Sequence, residues 1–353
     1  MDSTILEVKD LKKYFPIKKG IFSKVVGNVH AVEKVTFSIK EGQTLGLVGE
    51  SGCGKTTVGR TLLRLIEPTQ GEVNFDGENI LTYKGHTLRD LRKKMQIIFQ
   101  DPYSSLNPRM TVNSIVGEAL KVHKIGSRKD RKSFIEDLLY EVGLTKRYLN
   151  RYPHEFSGGQ RQRIGIARAL ALDPKFIVCD EPVSALDVSI QAQILNLLRK
   201  LQDTRGISYL FIAHNLHVVE HISDAVAVMY LGEIVEKGAK TTMTHELYDS
   251  PLHPYTKALL ASNPIPDPDA PRNKATLTGN VPTPINPPSG CKFHTRCPYA
   301  QNNPELLEMC KSVNPPIRHA SDTQYVRCLM YGGVDGLEGN VEPNEKFLNT
   351  KIS

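Results

Sequence analysis

The sequence predicts an α/β protein built on a mainly parallel β-sheet flanked by helices. Patterns typical of strands and helices alternate from residue 5 to about residue 240. The clearest strands are the apolar runs 44–48, 176–180 and 209–213, and an amphipathic helix is predicted around 190–202. A chain of 353 residues, of which 40% are hydrophobic, is long enough to bury a core of this kind.

Composition and charge exclude several classes of protein. The longest apolar runs are far shorter than the ~20 residues of a membrane helix, and the first residues lack the apolar core of a secretory signal. The chain is therefore expected to be cytoplasmic. The net charge is +7, but its basic clusters are dispersed and no aromatic residues interleave with them. No nucleic-acid partner is predicted from this pattern.

The remaining segments suggest how the chain is organised. The first part is rich in strand patterns, at 5–8, 29–39 and 73–75, and the pattern becomes helical between about 110 and 175. Proline is frequent from 261 to 290, which predicts an extended linker. The predicted divisions are a main domain at 1–260, the linker at 261–290, a cysteine-rich extension at 291–335 and a flexible tail at 336–353.

A phosphate-binding loop is predicted at residues 49–56. Their sequence, GESGCGKT, fits G-x-x-x-x-G-K-[ST] between the strand at 44–48 and a helix predicted over 55–66. Glycines let backbone N–H groups turn toward phosphate oxygens, and the helix N-terminus adds a positive dipole. Lys55 would reach the β- and γ-phosphates, and the Thr56 hydroxyl would bind Mg²⁺. The predicted nucleotide-binding residues here are Gly49, Ser51, Gly52, Cys53, Gly54, Lys55, Thr56 and Thr57.

Two further segments carry groups that phosphoryl transfer requires. The apolar strand at 176–180 ends in Asp180, which suits Mg²⁺, and Glu181, which can orient the attacking water. A serine and two glycines before a helix predict a second anion site made of a hydroxyl and N–H groups. Alone, these segments would fit a solvated acidic turn and a simple helix cap, but together with Lys55 they indicate nucleotide hydrolysis. The members of the second anion site are Ser157, Gly158, Gly159 and Gln160.

The order of these segments resembles the nucleotide-binding subunits of ATP-binding-cassette transporters. FSGGQRQR at 156–163 is similar to the signature motif of that family, and the resemblance covers about residues 5–260. It implies a P-loop ATPase core with a mainly parallel sheet, an antiparallel β subdomain and a helical signature subdomain at about 110–175. In that family two cassettes pack head to tail, so that the phosphate loop of one and the signature of the other enclose each ATP.

The resemblance implies roles for further residues. Gln100 in IIFQDP resembles the Q-loop glutamine, His214 in FIAHN the switch histidine that holds the γ-phosphate, and Asp187 the D-loop aspartate. Phe15 in KKYFPIKK matches the aromatic residue that stacks on adenine, with Tyr14 as the alternative one position away. The implied catalytic residues are Gln100, Glu181 and His214, and the implied Mg²⁺ ligands are Thr56, Gln100 and Asp180.

Longer segments resemble the F-type ATP-binding subunits of oligopeptide and dipeptide importers. These segments include SPLHPYTKALL and the more specific NPPSGCKFHTRCPYA. The implied partners are a D-type ATP-binding subunit that forms a heterodimer with this chain, two transmembrane permeases and an extracytoplasmic peptide-binding protein. The implied location is the cytoplasmic face of the inner membrane. A soluble cassette ATPase acting on nucleic acid or ribosomes is the alternative, although such chains usually carry two cassettes or long coiled-coil insertions.

Four of the six cysteines lie between residues 291 and 328. Stable disulfides are disfavoured in a cytoplasmic chain, and four thiolates could fold this core-poor segment around a metal. A four-cysteine set suits a [4Fe–4S] cluster or Zn²⁺, although the C-x₂₋₄-C pairs common in zinc sites are absent. The resemblance to peptide-importer ATPases favours the cluster, while free thiols and His294 as a ligand stay open. The candidate ligands are Cys291, Cys297, Cys310 and Cys328.

Overall fold

The computed structural model describes residues 3–20, 23–240, 245–262 and 279–332, in which strands and helices alternate as the α/β class requires. None of the helices in these ranges is long and apolar enough to cross a membrane. The strands are β1 (Thr4–Lys19), β2 (Lys24–Lys40), β3 (Thr44–Val48), β4 (Gln70–Phe75), β5 (Glu78–Asn79), β6 (Met95–Ile98), β7 (Phe176–Asp180), β8 (Ser208–Ala213), β9 (Ala225–Tyr230), β10 (Glu233–Ala239), β11 (Arg318–His319) and β12 (Tyr325–Val326). The helices are α1 (Lys55–Leu62), α2 (Gly85–Lys94), α3 (Val112–Val122), α4 (Arg128–Glu141), α5 (Gly158–Leu170), α6 (Val188–Arg205), α7 (Leu216–Ile222), α8 (Glu246–Asp249), α9 (Pro254–Ala261), α10 (Pro298–Gln301) and α11 (Pro304–Ser312).

The chain divides into two compact units. The first unit comprises the described residues of 1–7, 38–44 and 73–213. The second comprises those of 8–37, 45–72 and 214–353. The phosphate loop at 49–56 therefore belongs to the second unit. Asp180 and Glu181 at the end of β7, and the signature segment at 156–163, belong to the first.

Three parallel strands form the centre of the first unit. β6 pairs with β7 from Met95 opposite Phe176 onward, and β7 pairs with β8 from Phe176 opposite Ser208 onward. Every residue of β7 and β8 is buried, which explains why both strands are apolar except for Asp180 at the end of β7 and Ser208 at the start of β8, since parallel strands are covered on both faces. The carboxyl ends of β6 and β7 consequently lie at one edge of the sheet.

The helical part of the first unit contains α3, α4 and α5. The predicted helix at 131–142 begins earlier, at Arg128, because Ser127 and Asp130 form a capping box. The predicted helix at 160–172 is α5, which starts at Gly158 because Ser157 caps it. Helix existence was therefore predicted correctly, whereas the exact ends depend on side-chain caps.

The second unit combines parallel and antiparallel strands. β3 is parallel to β9, and β9 is antiparallel to β10. The strand β12 of the cysteine-rich segment pairs with β10, and β11 pairs with β12. The segment therefore adds two short strands to this unit. The predicted tail at 336–353 and residues 263–278 of the predicted linker lie outside the described residues.

Close packing of α7 on β3 gives a test of the fold. A Cβ atom at Gly46 would lie 2.1 Å from Val219 Cγ1 and 2.7 Å from Ser223 Oγ. We expect Gly46→Ala to lower the free energy of unfolding by about 1–3 kcal/mol because the core must shift. Gly165→Ala in α5 is the matched control, since its Cβ would meet no atom within 4 Å and alanine favours helix by up to ~1 kcal/mol. Urea unfolding followed by circular dichroism measures both, and equal destabilisation by the two would contradict the packing.

Candidate functional site

The loop at residues 49–56 leaves β3 with an unusual backbone. Gly49, Gly52 and Gly54 have φ angles of 155°, 81° and 108°. A Cβ atom at Gly49 would lie 2.1 Å from the carbonyl oxygen of Met229, and one at Gly54 would lie 2.1 Å from that of Ala31. Side chains are therefore excluded at both ends of the loop. Backbone of this kind can form a concave anion site from its N–H groups.

The side chain of Lys55 is held against the loop. It is buried at the start of α1, and its ammonium donates to the carbonyl oxygens of Gly49 (2.7 Å) and Glu50 (3.0 Å). The Cys53 thiol lies 3.7 Å from the ammonium, and burial raises the pKa of that thiol. Ser51 is exposed, and Thr56 and Thr57 lie in the first turn of α1. The loop thus holds the Lys55 ammonium close to its own backbone.

Two groups from the C-terminal part of the chain reach Glu50 in the same loop. Arg296 donates to both carboxylate oxygens, at 2.7 and 3.0 Å, and the Glu50 N–H donates to the Tyr255 hydroxyl at 2.8 Å. The bonds to Glu50 hold the pKa of Arg296 above its usual range. Sequence reasoning missed these contacts, because position 50 is unconstrained in the loop pattern and Arg296 is 246 residues away.

The carboxyl edge of β6 and β7 brings two predicted catalytic residues together. Gln100 follows β6, and its amide donates to the Glu181 carboxylate at 3.0 Å. Glu181 follows the buried Asp180, the last residue of β7, and has φ 47°. Its N–H donates to the carbonyl oxygen of Ile212 in β8 at 3.0 Å. An amide and a carboxylate held this way can together orient a water molecule.

The predicted His214 and Asp187 occupy the ends of other elements. His214 directly follows β8 and is exposed. Asp187 precedes α6 as its N-cap residue, is exposed, and makes no side-chain hydrogen bond to the helix start. Both side chains are therefore accessible to a ligand or to a second protein chain.

The signature segment forms the start of α5. The Gln160 N–H donates to Ser157 Oγ (3.4 Å), and the Ser157 N–H donates to Gln160 Oε1 (3.1 Å). The Ser157 oxygen is thus an acceptor for the helix, and its hydroxyl proton can still be donated to an anion. A Cβ atom at Gly159 would lie 2.5 Å from Ile190 Cγ2, so this glycine is also required by packing on α6.

Two aromatic residues were candidates for adenine stacking. The Tyr14 hydroxyl is hydrogen-bonded to the Glu33 carboxylate, and its ring lies 4.3 Å from the His30 ring. Burial and the bond to Glu33 raise the pKa of Tyr14. Phe15 is 36% exposed, with the Lys13 ammonium 4.9 Å from its ring centroid. The Tyr14 side chain is therefore bound to neighbours of the same unit, whereas the Phe15 side chain is partly exposed to solvent.

The four C-terminal cysteines are buried and free. The Cys291 N–H donates to the carbonyl oxygen of Cys310 at 2.8 Å, and the two thiols are hydrogen-bonded, which together with burial raises the pKa of Cys291. Burial also raises the pKa of Cys297 to about 11 and that of Cys328. His294 Nδ1 bonds the carbonyl oxygen of Cys291 at 2.7 Å.

The expected metal centre is not supported by this arrangement. Across residues 3–20, 23–240, 245–262 and 279–332, no three or more His, Cys, Asp or Glu side chains are grouped so that they could hold a metal ion. The cysteine spacing predicted a four-ligand set, but the described geometry joins Cys291 to Cys310 as a pair. Spacing along the chain does not fix the distances between sulfur atoms, because these depend on how the intervening segments fold.

Comparison with protein families gives two matches along the chain. Residues 32–184 match the family described as ABC transporter. Residues 239–303 match the family described as oligopeptide/dipeptide transporter, C-terminal region. The first match spans the phosphate loop and Glu181, and the second includes Cys291, Arg296 and Cys297.

Individual proteins similar to this chain extend over nearly its whole length. The oligopeptide transport ATP-binding protein AppF of Bacillus subtilis is 52% identical, over 93% of this chain and 98% of that protein. The oligopeptide transport ATP-binding protein OppF of Salmonella typhimurium is 53% identical, over 92% and 96%. The dipeptide transport ATP-binding protein DppF of Haemophilus influenzae is 48% identical, over 93% and 97%.

Solved structures resemble the cassette part of the chain. The ATP-binding cassette MJ0796, solved as a dimer bound to ADP and Pi, is 29% identical with a TM-score of 0.59. The similarity covers 66% of this chain and 98% of that one. CbiO1 from Clostridium perfringens, part of the transporter complex cbiONQ, is 26% identical with a TM-score of 0.57, over 68% of this chain and 89% of that one.

The position of Lys55 predicts a specific binding defect. We expect Lys55→Ala to weaken ATP binding by about 10–100-fold, the size expected when a charge-assisted hydrogen bond worth roughly 1.5–3 kcal/mol is lost. Lys132→Ala, at an exposed position of α4, is the matched control and should bind as the wild type does. Titration of the full chain with a fluorescent ATP analogue measures both. Equal dissociation constants for the two variants would show that Lys55 does not contribute to ATP binding.

Proposed function

The chain belongs to the ABC transporter family, and we propose that it is the ATP-hydrolysing subunit that powers an oligopeptide or dipeptide importer. The observation that carries the proposal is similarity over more than nine-tenths of the chain to oligopeptide transport ATP-binding proteins. A phosphate loop alone would fit many ATPases, but the match at 239–303 is to the C-terminal region of peptide transporters. The same match disfavours an ATPase acting on nucleic acid or ribosomes.

The proposed chemistry is attack of water on the γ-phosphorus of ATP, which breaks the bond to the β,γ-bridging oxygen and releases ADP, phosphate and a proton. This reaction asks the protein mainly for positioning and for positive charge. Lys55 supplies charge to the β- and γ-phosphates, and Glu181 accepts the hydrogen bond of the attacking water while the amide of Gln100 holds the carboxylate. His214 contacts the γ-phosphate in this proposal.

Mg²⁺ is the metal that ATP hydrolysis calls for. The residues assigned to it from the sequence are Thr56, Gln100 and Asp180. Their hydroxyl, amide and carboxylate oxygens are the hard donors that Mg²⁺ prefers, so the donor set fits the ion. When bound, the ion would offset negative charge on the phosphates.

A second cassette is proposed to complete each ATP site. Ser157 and Gly158 are exposed at the start of α5, as is Asp187 before α6, so these residues are available to another subunit. The similar cassette MJ0796 was solved as a dimer. We propose that this signature segment serves the nucleotide bound by the partner, and that Phe15 stacks on the adenine of the nucleotide bound by this chain.

The proposed assembly follows the peptide-importer resemblance. The second cassette is a D-type ATP-binding subunit, and the pair binds two transmembrane permeases that receive peptide from an extracytoplasmic binding protein. This chain would then work at the cytoplasmic face of the membrane. The names of its relatives, which are transport ATP-binding proteins, support the permease partners.

The function is tested with a single amide substitution. We expect Glu181→Gln to retain ATP binding and to lower ATP hydrolysis by about 100-fold or more, because the amide keeps the shape but loses the charge that polarises water. Phosphate release and peptide uptake are measured in liposomes that contain the assembled transporter. Asp137→Asn, the same change at an exposed position of α4, should leave both rates unchanged.

Two outcomes of this experiment would count against the proposal. If Glu181→Gln hydrolysed ATP near the wild-type rate, Glu181 would not be the residue that polarises the attacking water. Wild-type ATP hydrolysis without ATP-dependent uptake of any peptide would remove the importer function.

The four cysteines of the extension are proposed to hold a [4Fe–4S] cluster. Their donor chemistry fits, since four buried thiols lie within one small segment, although their described geometry assembles only a pair. We expect anaerobically purified protein to be brown, with absorbance at about 400 nm and about four irons per chain. Each Cys→Ser change in the extension should abolish the absorbance at about 400 nm, whereas Cys53→Ser should leave it unchanged. Colourless protein with zinc would establish the zinc alternative, and absence of both metals would leave free thiols.

A further inference from the structure

The phosphate loop is held from outside by the C-terminal part of the chain. Arg296 donates two parallel hydrogen bonds to the Glu50 carboxylate, at 2.7 and 3.0 Å. The Arg296 side chain is 5% exposed and that of Glu50 is 26% exposed. A paired guanidinium and carboxylate in this fork geometry fix direction as well as distance. The loop residue Glu50 therefore has a defined partner from the segment that carries the four cysteines.

Arg296 is itself fixed by the packing around it. Its N–H donates to the carbonyl oxygen of Phe293 at 2.9 Å, and the Phe293 ring lies 5.2 Å from the Tyr230 ring and 5.4 Å from the Tyr255 ring. All three rings are almost completely buried. The Tyr255 hydroxyl accepts the hydrogen bond of the Glu50 N–H, so the same aromatic group also binds the loop backbone.

A second basic residue ties the same turn to the neighbouring strands. Lys292 donates to the carbonyl oxygen of Leu231 at 3.0 Å and pairs with Glu233 at 3.1 Å. The next residue after Leu231 is Gly232, whose N–H donates to the carbonyl oxygen of Cys53 in the phosphate loop at 2.9 Å. These contacts fix the backbone turn that carries Arg296, and they therefore help to keep its guanidinium beside Glu50.

The charge of Glu50 makes this contact relevant to nucleotide binding. Glu50 places a carboxylate in a loop whose proposed ligand is a polyanion, and the Lys55 ammonium is bound to the carbonyl oxygens of Gly49 and Glu50. An unpaired carboxylate in this loop would repel phosphates bound to it, most strongly where solvent is partly excluded. The guanidinium of Arg296 offsets that charge.

We propose that Arg296 is a positioning residue for the phosphate loop, which neutralises Glu50 and holds it away from the bound phosphates. The proposal rests on the proposed function, since it assigns the contact to ATP binding. It makes the cysteine-rich extension part of the nucleotide site, although no group of the extension needs to touch the nucleotide.

The test separates charge from structure with three variants of the full chain. Arg296→Gln should raise the ATP dissociation constant by roughly tenfold, which corresponds to ~1.4 kcal/mol. Glu50→Gln should bind ATP about as well as the wild type, because it removes the charge that Arg296 offsets. The double variant should recover most of the affinity lost in Arg296→Gln. Binding is measured with a fluorescent ATP analogue, and the thermal midpoint of each variant is measured by circular dichroism.

Two controls show whether Arg296 acts only on stability. Lys311→Gln breaks an exposed ion pair with Glu308 on α11 and should change neither affinity nor thermal midpoint. Arg296→Lys keeps the charge but loses the fork, and its ATP affinity should lie between those of the wild type and Arg296→Gln. If Arg296→Gln does not fold, Arg296→Lys and Glu50→Gln still decide the question.

The inference and the proposed function fail in different ways. If the wild-type chain binds no ATP, both are overturned. If the wild type binds ATP and Arg296→Gln binds it equally well, with or without a lower thermal midpoint, only the positioning role is overturned. A double variant as weak as Arg296→Gln would overturn the charge compensation.

Discussion

Close backbone approach at the phosphate loop is the constraint on which the rest of the site depends. A side chain at Gly49 would collide with the carbonyl oxygen of Met229 in β9, the strand that runs parallel to β3. The Gly232 N–H, just beyond β9, donates to the carbonyl oxygen of Cys53. The loop is therefore shaped by the strands beside it, and its glycines are required by packing as well as by phosphate chemistry.

In the first unit, backbone strain and strand pairing direct the Glu181 carboxylate, for which a catalytic role is proposed above. Glu181 has φ 47°, a region that residues with side chains seldom occupy. Its N–H is bonded to the carbonyl oxygen of Ile212, and its own carbonyl oxygen accepts the hydroxyl of Ser184. These two hydrogen bonds stabilise the sharp turn of the chain at the end of β7 and so compensate for the strain. The side chain then meets Gln100, which follows the neighbouring strand β6.

Local pattern predicted the buried strands and the phosphate loop, because both are encoded by adjacent residues. The strands at 44–48 and 176–180 have the predicted bounds, since each is a fully buried and mainly apolar segment. The helix predicted over 55–66 ends at Leu62, and Arg64 then takes φ 52°, a turn that no composition rule foresaw. The pairing of Arg296 with Glu50 joins residues 246 positions apart and follows from no spacing rule. The same limit applies to the cysteines, whose separation in space is decided by the fold.

The sequence predicts that the cysteine-rich extension is a separate segment beyond a linker. In the structure, its contacts make it part of the second unit. Its strand β12 pairs with β10, its Lys292 pairs with Glu233, and its Arg296 binds the phosphate loop. Cys297 follows Arg296 directly and is the N-cap residue of α10. Arg296 therefore links the two segments, since it is covalently bonded to Cys297 and hydrogen-bonded to Glu50 of the phosphate loop. A change that unfolds this turn must release Glu50 as well, so the extension cannot lose its structure without altering the charge and freedom of the loop.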